Sequence, residues 1–120
     1  MGLIWADTLT WPPSGNVMSR TGKGRHYPNP VYAQWLWANM PRVSAVPLDH
    51  VIDYPIRLEG LFRSPTRRVY DLDNRCKPVQ DLLQKAGVFV NDHLIHRLEL
   101  EKAPIVKGAG GWVRVELHTL

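Results

Sequence analysis

Apolar side chains alternate with polar ones in four stretches of this chain and recur at helical spacing in two others, a pattern that predicts an α+β protein. Trp5, Leu9 and Trp11 fall on one side of a first strand over residues 3–11. It is stopped by Pro12-Pro13-Ser14-Gly15-Asn16, which no central strand or helix could pass through. Residues 54–63 resume the two-residue period with Ile56, Leu58, Gly60 and Phe62 on one side. Residues 93–102 alternate Leu94, His96, Leu98 and Leu100 against Ile95, Arg97 and Glu99, and residues 112–117 alternate Val113, Val115 and Leu117 against charged residues. These last two strands are expected to close the sheet as a hairpin-like pair around the turn at 107–111.

Asn29-Pro30 reads as an N-cap followed by proline at the first helical position, and Val31 to Met40 supplies a short first helix that Pro41 ends. Val79, Leu82, Leu83 and Ala86 recur at i, i+3, i+4 and i+7 before Gly87, the clearest helix in the chain. Because proline belongs in a helix's first turn, Pro78 places the start of that helix near Asn74 or Arg75, with Asp73 at or just before its cap. The expected architecture is a small mixed or antiparallel sheet of about four strands with two main helices. A chain of 120 residues suits one domain, residues 1–120, which is enough for a real core but too short for two. A domain this small that must grip a large substrate gains contact surface by pairing with a copy of itself, so a homodimer is expected.

Charge sharpens the picture. Fifteen Lys and Arg against eleven Asp and Glu give a net charge of +4, which favours a polyanionic partner. The long segment from Pro12 to Pro30 carries Arg20, Lys23 and Arg25 without an acidic residue, and Gly22 and Gly24 give it conformational freedom. A single cysteine, Cys76, excludes an internal disulfide and a cysteine-based zinc site. Residues 1–10 show no basic leader with a long apolar stretch, and no run approaches the ~20 apolar residues that span a bilayer. A soluble, cytoplasmic protein without a membrane partner is expected. The five tryptophans read first as core, with Trp11, beside the basic loop, the one best placed to stack on a base.

The acidic residues carry the chemistry. Asp71 and Asp73, two apart in an extended segment, point to one face just before a helix N-terminus. Two carboxylates ~4 Å apart repel by about 4 kcal/mol at an effective dielectric of 20. Mg²⁺, with Mn²⁺ able to substitute, resolves that conflict through its preference for oxygen ligands. Lys77, one helical turn beyond Asp73, can neutralise charge on a phosphate oxygen as a nucleotidyl bond breaks. Local sequence leaves Asp73 open to a capping role, Asp92 to a turn role in Asn91-Asp92, and Arg67, Arg68 and Lys77 to an ordinary solvated face. Cys76 has only Lys77 as a cationic neighbour and reads as a packing residue rather than a nucleophile. His93 and His96 would face opposite sides of a strand, so a zinc site is not expected.

Several separated motifs resemble the RusA family of Holliday-junction resolvases. They are Leu9-Thr10-Trp11-Pro12-Pro13-Ser14 with Asn16, Asp71-Leu72-Asp73-Asn74 with Lys77, Leu83-Gln84-Lys85-Ala86-Gly87-Val88, Asn91-Asp92, and Ala103-Pro104 with Lys107-Gly108. The resemblance implies a homodimeric, Mg²⁺-dependent endonuclease that makes paired nicks in four-way DNA junctions during recombination and repair, and a bacterial, prophage or phage origin. It implies catalytic and metal roles for Asp71, Asp73 and Asp92 and a catalytic role for Lys77; the residues expected to contact DNA are Arg20, Lys23 and Arg25 of the basic loop and Arg67, Arg68 and Asn74 around the acidic motif. Two positions depart from the family pattern: Asn91 stands where many members carry aspartate, and Val69-Tyr70 stands where a basic run is common. Two rival functions remain open, a non-catalytic module that binds branched DNA through phosphates, and a Mg²⁺ nuclease acting on flaps or other branched DNA.

Overall fold

The computed structural model describes residues 2–22, 25–44 and 50–120, and for residues 17, 19–22 and 25–28 the backbone alone. Four strands form one sheet: β1 (Leu3–Thr10), β4 (Ile56–Arg63), β5 (Ile95–Lys102) and β6 (Trp112–Thr119), in the order β1-β6-β4-β5. β6 runs antiparallel to both β1 and β4, while β4 and β5 are parallel. The expected α+β class with a mixed sheet of four strands and two helices is therefore what the chain adopts. The hairpin of the last two strands is not, because β4 lies between them. A parallel pair needs a crossover, and the helix between β4 and β5 supplies it.

That helix, α2 (Leu72–Lys85), buries Cys76, Val79, Leu82 and Leu83, the apolar spacing read from the sequence. They pack on Leu9, Ile56, Leu58, Phe62, Val113, Val115 and Leu117, all fully buried on one face of the sheet. β4 shows strict alternation of buried and half-buried positions. Its other side, with that of β6, carries Arg57, Glu59, Arg114, Glu116 and His118 and is covered by neither helix. β5 is an edge strand whose side chains are mostly exposed, so its alternation contributes less to the core than the pattern suggested.

Three local expectations need correction. α2 starts at Leu72 with Asp71 at the N-cap, and Pro78 sits in its second turn. The proline's missing N–H leaves the carbonyl of Asn74, four residues back, without a helical donor. α1 (Pro30–Ser44) likewise runs through Pro41. There the carbonyl left over belongs to Trp37, whose residue is 82% exposed, so water can take the donor's place. The segment 12–30 is more than a loop: a 3₁₀ turn at Gly15–Val17 leads into a hairpin of β2 (Ser19–Gly22) and β3 (Arg25–Pro28). Asn39, buried in α1, donates from Nδ2 to Thr10 Oγ1 and accepts from Thr10 N at Oδ1, clamping α1 to the end of β1. Among the described residues no helix is long and apolar enough to cross a membrane.

Candidate active site at the first turn of helix α2

β4 delivers the chain to one end of the sheet, and residues 64–70 turn it into α2. Ser64, buried at the strand end, donates from Oγ to Thr66 O at 2.7 Å and accepts from Thr66 N at 3.2 Å, a hydroxyl-closed turn that leaves Arg67, Arg68 and Val69 exposed. Lys102, the last residue of β5, donates to Tyr70 O at 2.9 Å and stands 4.3 Å over the Tyr70 ring, fixing the residue that precedes Asp71. Tyr70 meets Trp11 edge-on at 5.1 Å, and Trp11 meets Phe62 in the same way at 6.2 Å. Arg75 covers the Trp11 ring at 5.3 Å and donates to Pro12 O at 2.8 Å. Trp11 is thus packed on three sides as a hinge between β1 and the site. The exposed tryptophan is Trp37, against the core role expected of it.

Asp71 is extended (φ −96°, ψ 129°), and its side chain makes no capping hydrogen bond. Its Oδ2 instead accepts from Asn74 Nδ2 at 3.3 Å. Asn74 Oδ1 lies 3.5 Å from Lys77 Nζ, and Lys77 Nζ lies 3.9 Å from Asp73 Oδ2. Two carboxylates, an amide and an ammonium therefore share one face of the first turn, and both aspartates and the lysine are exposed. Since Asp73 is already helical, what joins it to Asp71 is the capped turn and not the alternation of a strand. The donors are hard oxygens, the set that Mg²⁺ prefers, and the helix N-terminus adds a positive end for an anionic ligand. A carboxylate that its own helix does not use as a cap is available to a cation.

Asp92 lies elsewhere. It opens a 3₁₀ turn, Asp92–Leu94, and its N–H donates to Gln84 Oε1 at 3.1 Å, beside the last turn of α2. The 14 residues of α2 put it roughly 20 Å from Asp71 at 1.5 Å per residue. Asn91 Oδ1 is engaged as the cap of that turn, accepting from His93 N at 2.9 Å. One chain brings together Asp71, Asp73, Asn74 and Lys77 but leaves Asp92 at the other end of the crossover. Of the basic residues expected on DNA, Arg67 and Arg68 rim the first turn, Arg20 and Arg25 have only their backbone placed, in the hairpin, and Lys23 lies outside the described residues.

The profile of the family described as Endodeoxyribonuclease RusA matches residues 11–117. The chain belongs to the RusA family. Crossover junction endodeoxyribonucleases RusA of Escherichia coli strains O1:K1 and K12 are each 33% identical to it over 105 residues, 87% of either chain. The crossover junction endodeoxyribonuclease of Enterobacteria phage 82 is 33% identical over 102 residues, 84% of either chain. As a RusA-family member the protein is an endodeoxyribonuclease.

A nuclease family suggests a divalent metal, and the only three-ligand cluster among the described residues is Glu59, Glu116 and His118. It sits on the open face of the sheet, away from α2. Its charges are already matched: Arg57 Nε lies 2.8 Å from Glu59, Arg114 Nε 3.3 Å from Glu116, and His118 Nε2 2.9 Å from Glu116 and 3.7 Å from Glu59. The His118 hydrogen bond in particular holds the Glu116 carboxyl below its usual range. A cation there would compete with two arginines, whereas the aspartates at the first turn of α2 face one lysine. Burial pushes the Cys76 thiol up to about 11, which removes it as a nucleophile.

The sequence singles out no role for Lys102 and marks Lys107 and Gly15 only as members of motifs. Lys107 and Arg67 line one cleft with Pro65, Thr66, Ile105 and Gly108, so the loop after β5 extends the basic rim. Gly15 touches the site helix: a Cβ there would lie 2.9 Å from Asn74 O, 2.9 Å from Lys77 Cδ and 3.0 Å from Lys77 Cβ. Its place in the Pro-Pro-Ser-Gly-Asn motif was visible, but what that motif packs against was not.

Proposed function

We propose that the protein is a Mg²⁺-dependent, homodimeric endonuclease that resolves four-way DNA junctions by paired nicks. The observation that carries this reading is the exposed array of Asp71, Asp73, Asn74 and Lys77 at a helix N-terminus, within a basic rim of Arg67, Arg68, Lys102 and Lys107. Asp71 and Asp73 would hold the metal, which when bound lowers the pKa of water and stabilises charge on the departing oxygen. Asn74, bonded to Asp71 and close to Lys77, fixes the aspartate and the ammonium relative to each other. Lys77 faces a phosphate oxygen as negative charge builds on it, while Arg67 and Arg68 hold flanking phosphates and set the register of the strand. The exposed Lys77–Asp73 pair is itself worth no more than about 1 kcal/mol, so the lysine can exchange its carboxylate for a phosphate at little cost. Bacterial and phage relatives support action in the cytoplasm.

The test is nicking of an end-labelled immobile four-way junction, with linear duplex and flap substrates alongside. Symmetric cuts that need Mg²⁺, vanish in EDTA and are lost in Asp73→Asn are expected. Unchanged cutting by Asp73→Asn would sink the assignment, and preference for flaps would redirect the substrate.

A further inference from the structure

Where the end of β1, the start of α1 and the first turn of α2 meet, the surface opens into a cleft of about 450 Å³, within the ~300–1,000 Å³ range of sites that take small organic groups. The chain after β1 contributes Trp11, Pro12 and Pro13, α1 contributes Val31, Gln34 and Trp35, and α2 contributes Arg75. Two indoles and two proline rings make it a cleft of flat apolar surfaces. Trp35 Nε1 is spent on Thr10 O at 2.9 Å, so that indole offers no free donor. The polar groups left are the exposed Gln34 amide, which carries both donors and an acceptor, and the Arg75 guanidinium. Among the described residues no carboxylate lines the cleft.

Arg75 ties the cleft to the site. Its Nη1 donates to Pro12 O at 2.8 Å and its guanidinium covers the Trp11 ring at 5.3 Å, which fixes a planar cation in place. Burial holds its pKa below the usual arginine range, and Tyr70, not an aspartate or glutamate, opposes that shift. A half-buried cation with no carboxylate to match it favours an anionic occupant. Arg75 follows Asn74 on the first turn of α2, and its N–H donates to Asp71 O at 3.2 Å. Gly15, three residues after Pro12, abuts Asn74 and Lys77. The cleft and the acidic array therefore share the first turn of α2 and the segment 12–15, so one DNA strand can reach both.

We propose that this cleft holds one nucleobase, unstacked from the strand whose phosphate lies at Asp71, Asp73 and Lys77. The base stacks on the Arg75 guanidinium, and its edge meets the Gln34 amide at the rim. Because Arg75 already covers the Trp11 ring, Trp11 supports the base through the arginine and not by direct stacking. A base inside a duplex lies between two neighbours and must be unpaired before it can enter, whereas a base at a branch point leaves its stack at lower cost. Preference for branched DNA then follows from where an unstacked base is available. The inference rests on the reading of the first turn of α2 as the nuclease site.

Rim residues allow a test that spares the acidic array. Val31 is 59% exposed and Gln34 is exposed too. Val31→Phe with Gln34→Leu should fill the mouth of the cleft and leave the melting temperature close to that of the wild type. Binding is measured in EDTA, so that no strand is cut, on immobile four-way junctions in which one nucleotide at a time beside the crossover is made abasic. One abasic position should weaken wild-type binding by about 5- to 100-fold, the effect of losing one stacked base. The filled variant should bind the intact junction more weakly by a similar factor and lose nothing further at that abasic position, since both lesions remove one contact. Arg75→Lys, which keeps the charge and loses the plane, should behave as the filled variant does. Linear duplex should be bound equally by the wild type and the filled variant.

If no abasic position weakens binding, if the abasic site and the filled cleft weaken it additively, or if Arg75→Lys binds like the wild type, the base site is overturned. Mg²⁺-dependent cutting of junctions by the wild type then leaves the nuclease reading standing. Wild-type protein that neither binds nor cuts junctions overturns both.

Discussion

Gly15 offers a perturbation whose size can be worked from the structure. Its residue type is not required by backbone conformation, since the positive-φ glycines among the described residues are Gly87 and Gly108. What forbids a side chain is proximity to Asn74 O, Lys77 Cδ and Lys77 Cβ, at 2.9, 2.9 and 3.0 Å from an added Cβ. The lysine stem can yield by a few tenths of an ångström. The Asn74 carbonyl cannot, because it is part of the helix backbone, and the absent N–H of Pro78 leaves it nearest the turn. Gly15→Ala must therefore lift the 3₁₀ turn or push the first turn of α2, an overpacking cost of about 1–3 kcal/mol. For a chain of this length that corresponds to a melting temperature lower by roughly 5–15 °C. Displacing Lys77 by even 1 Å should slow single-turnover nicking by about 10- to 100-fold below the melting range. Gly110→Ala, where nothing lies within 4 Å of the new methyl, is the control and should leave both readouts unchanged. A Gly15→Ala protein that melts and cuts like the wild type would refute both the contact and its link to Lys77.

Gln84→Ala removes the acceptor for Asp92 N and should cost about 0.5–1.5 kcal/mol in urea unfolding. It should lower cleavage by more than that stability loss explains, read as a fall in rate at saturating Mg²⁺. Arg67→Ala with Arg68→Ala should weaken binding to junctions of any sequence and flatten the plot of log affinity against log salt by about two, one for each phosphate that no longer has an arginine to neutralise it. An unchanged slope would show that neither arginine touches DNA. Cys76 should react slowly with a thiol reagent at pH 8 in the folded protein. Its thiol is raised from 9.0 to about 11 by burial, so the unfolded chain loses that proton first. The resulting stability, about 3 kcal/mol, is present in full below pH 9 and fades as pH rises towards 11, and Cys76→Val should abolish that window in alkaline melting curves.

Most of the sheet and the body of α2 could be read directly, because burial imposes the period: Ile56, Leu58, Gly60 and Phe62 are all buried, as are Val79, Leu82 and Leu83. Strand order could not be read in the same way. The pairing of β4 with both β5 and β6 depends on where a crossover helix packs, and no local residue records that. Helix ends are less legible for a definite reason: proline marks a helix end at Pro41 and a first turn at Pro78, yet each sits inside its helix, where the carbonyl it deprives can be served by solvent or left beside a turn. In the site, Asp71, Asp73 and Lys77 were legible because they are neighbours on one turn. Asp92 was placed with them by resemblance, whereas its distance from them is set by the length of α2.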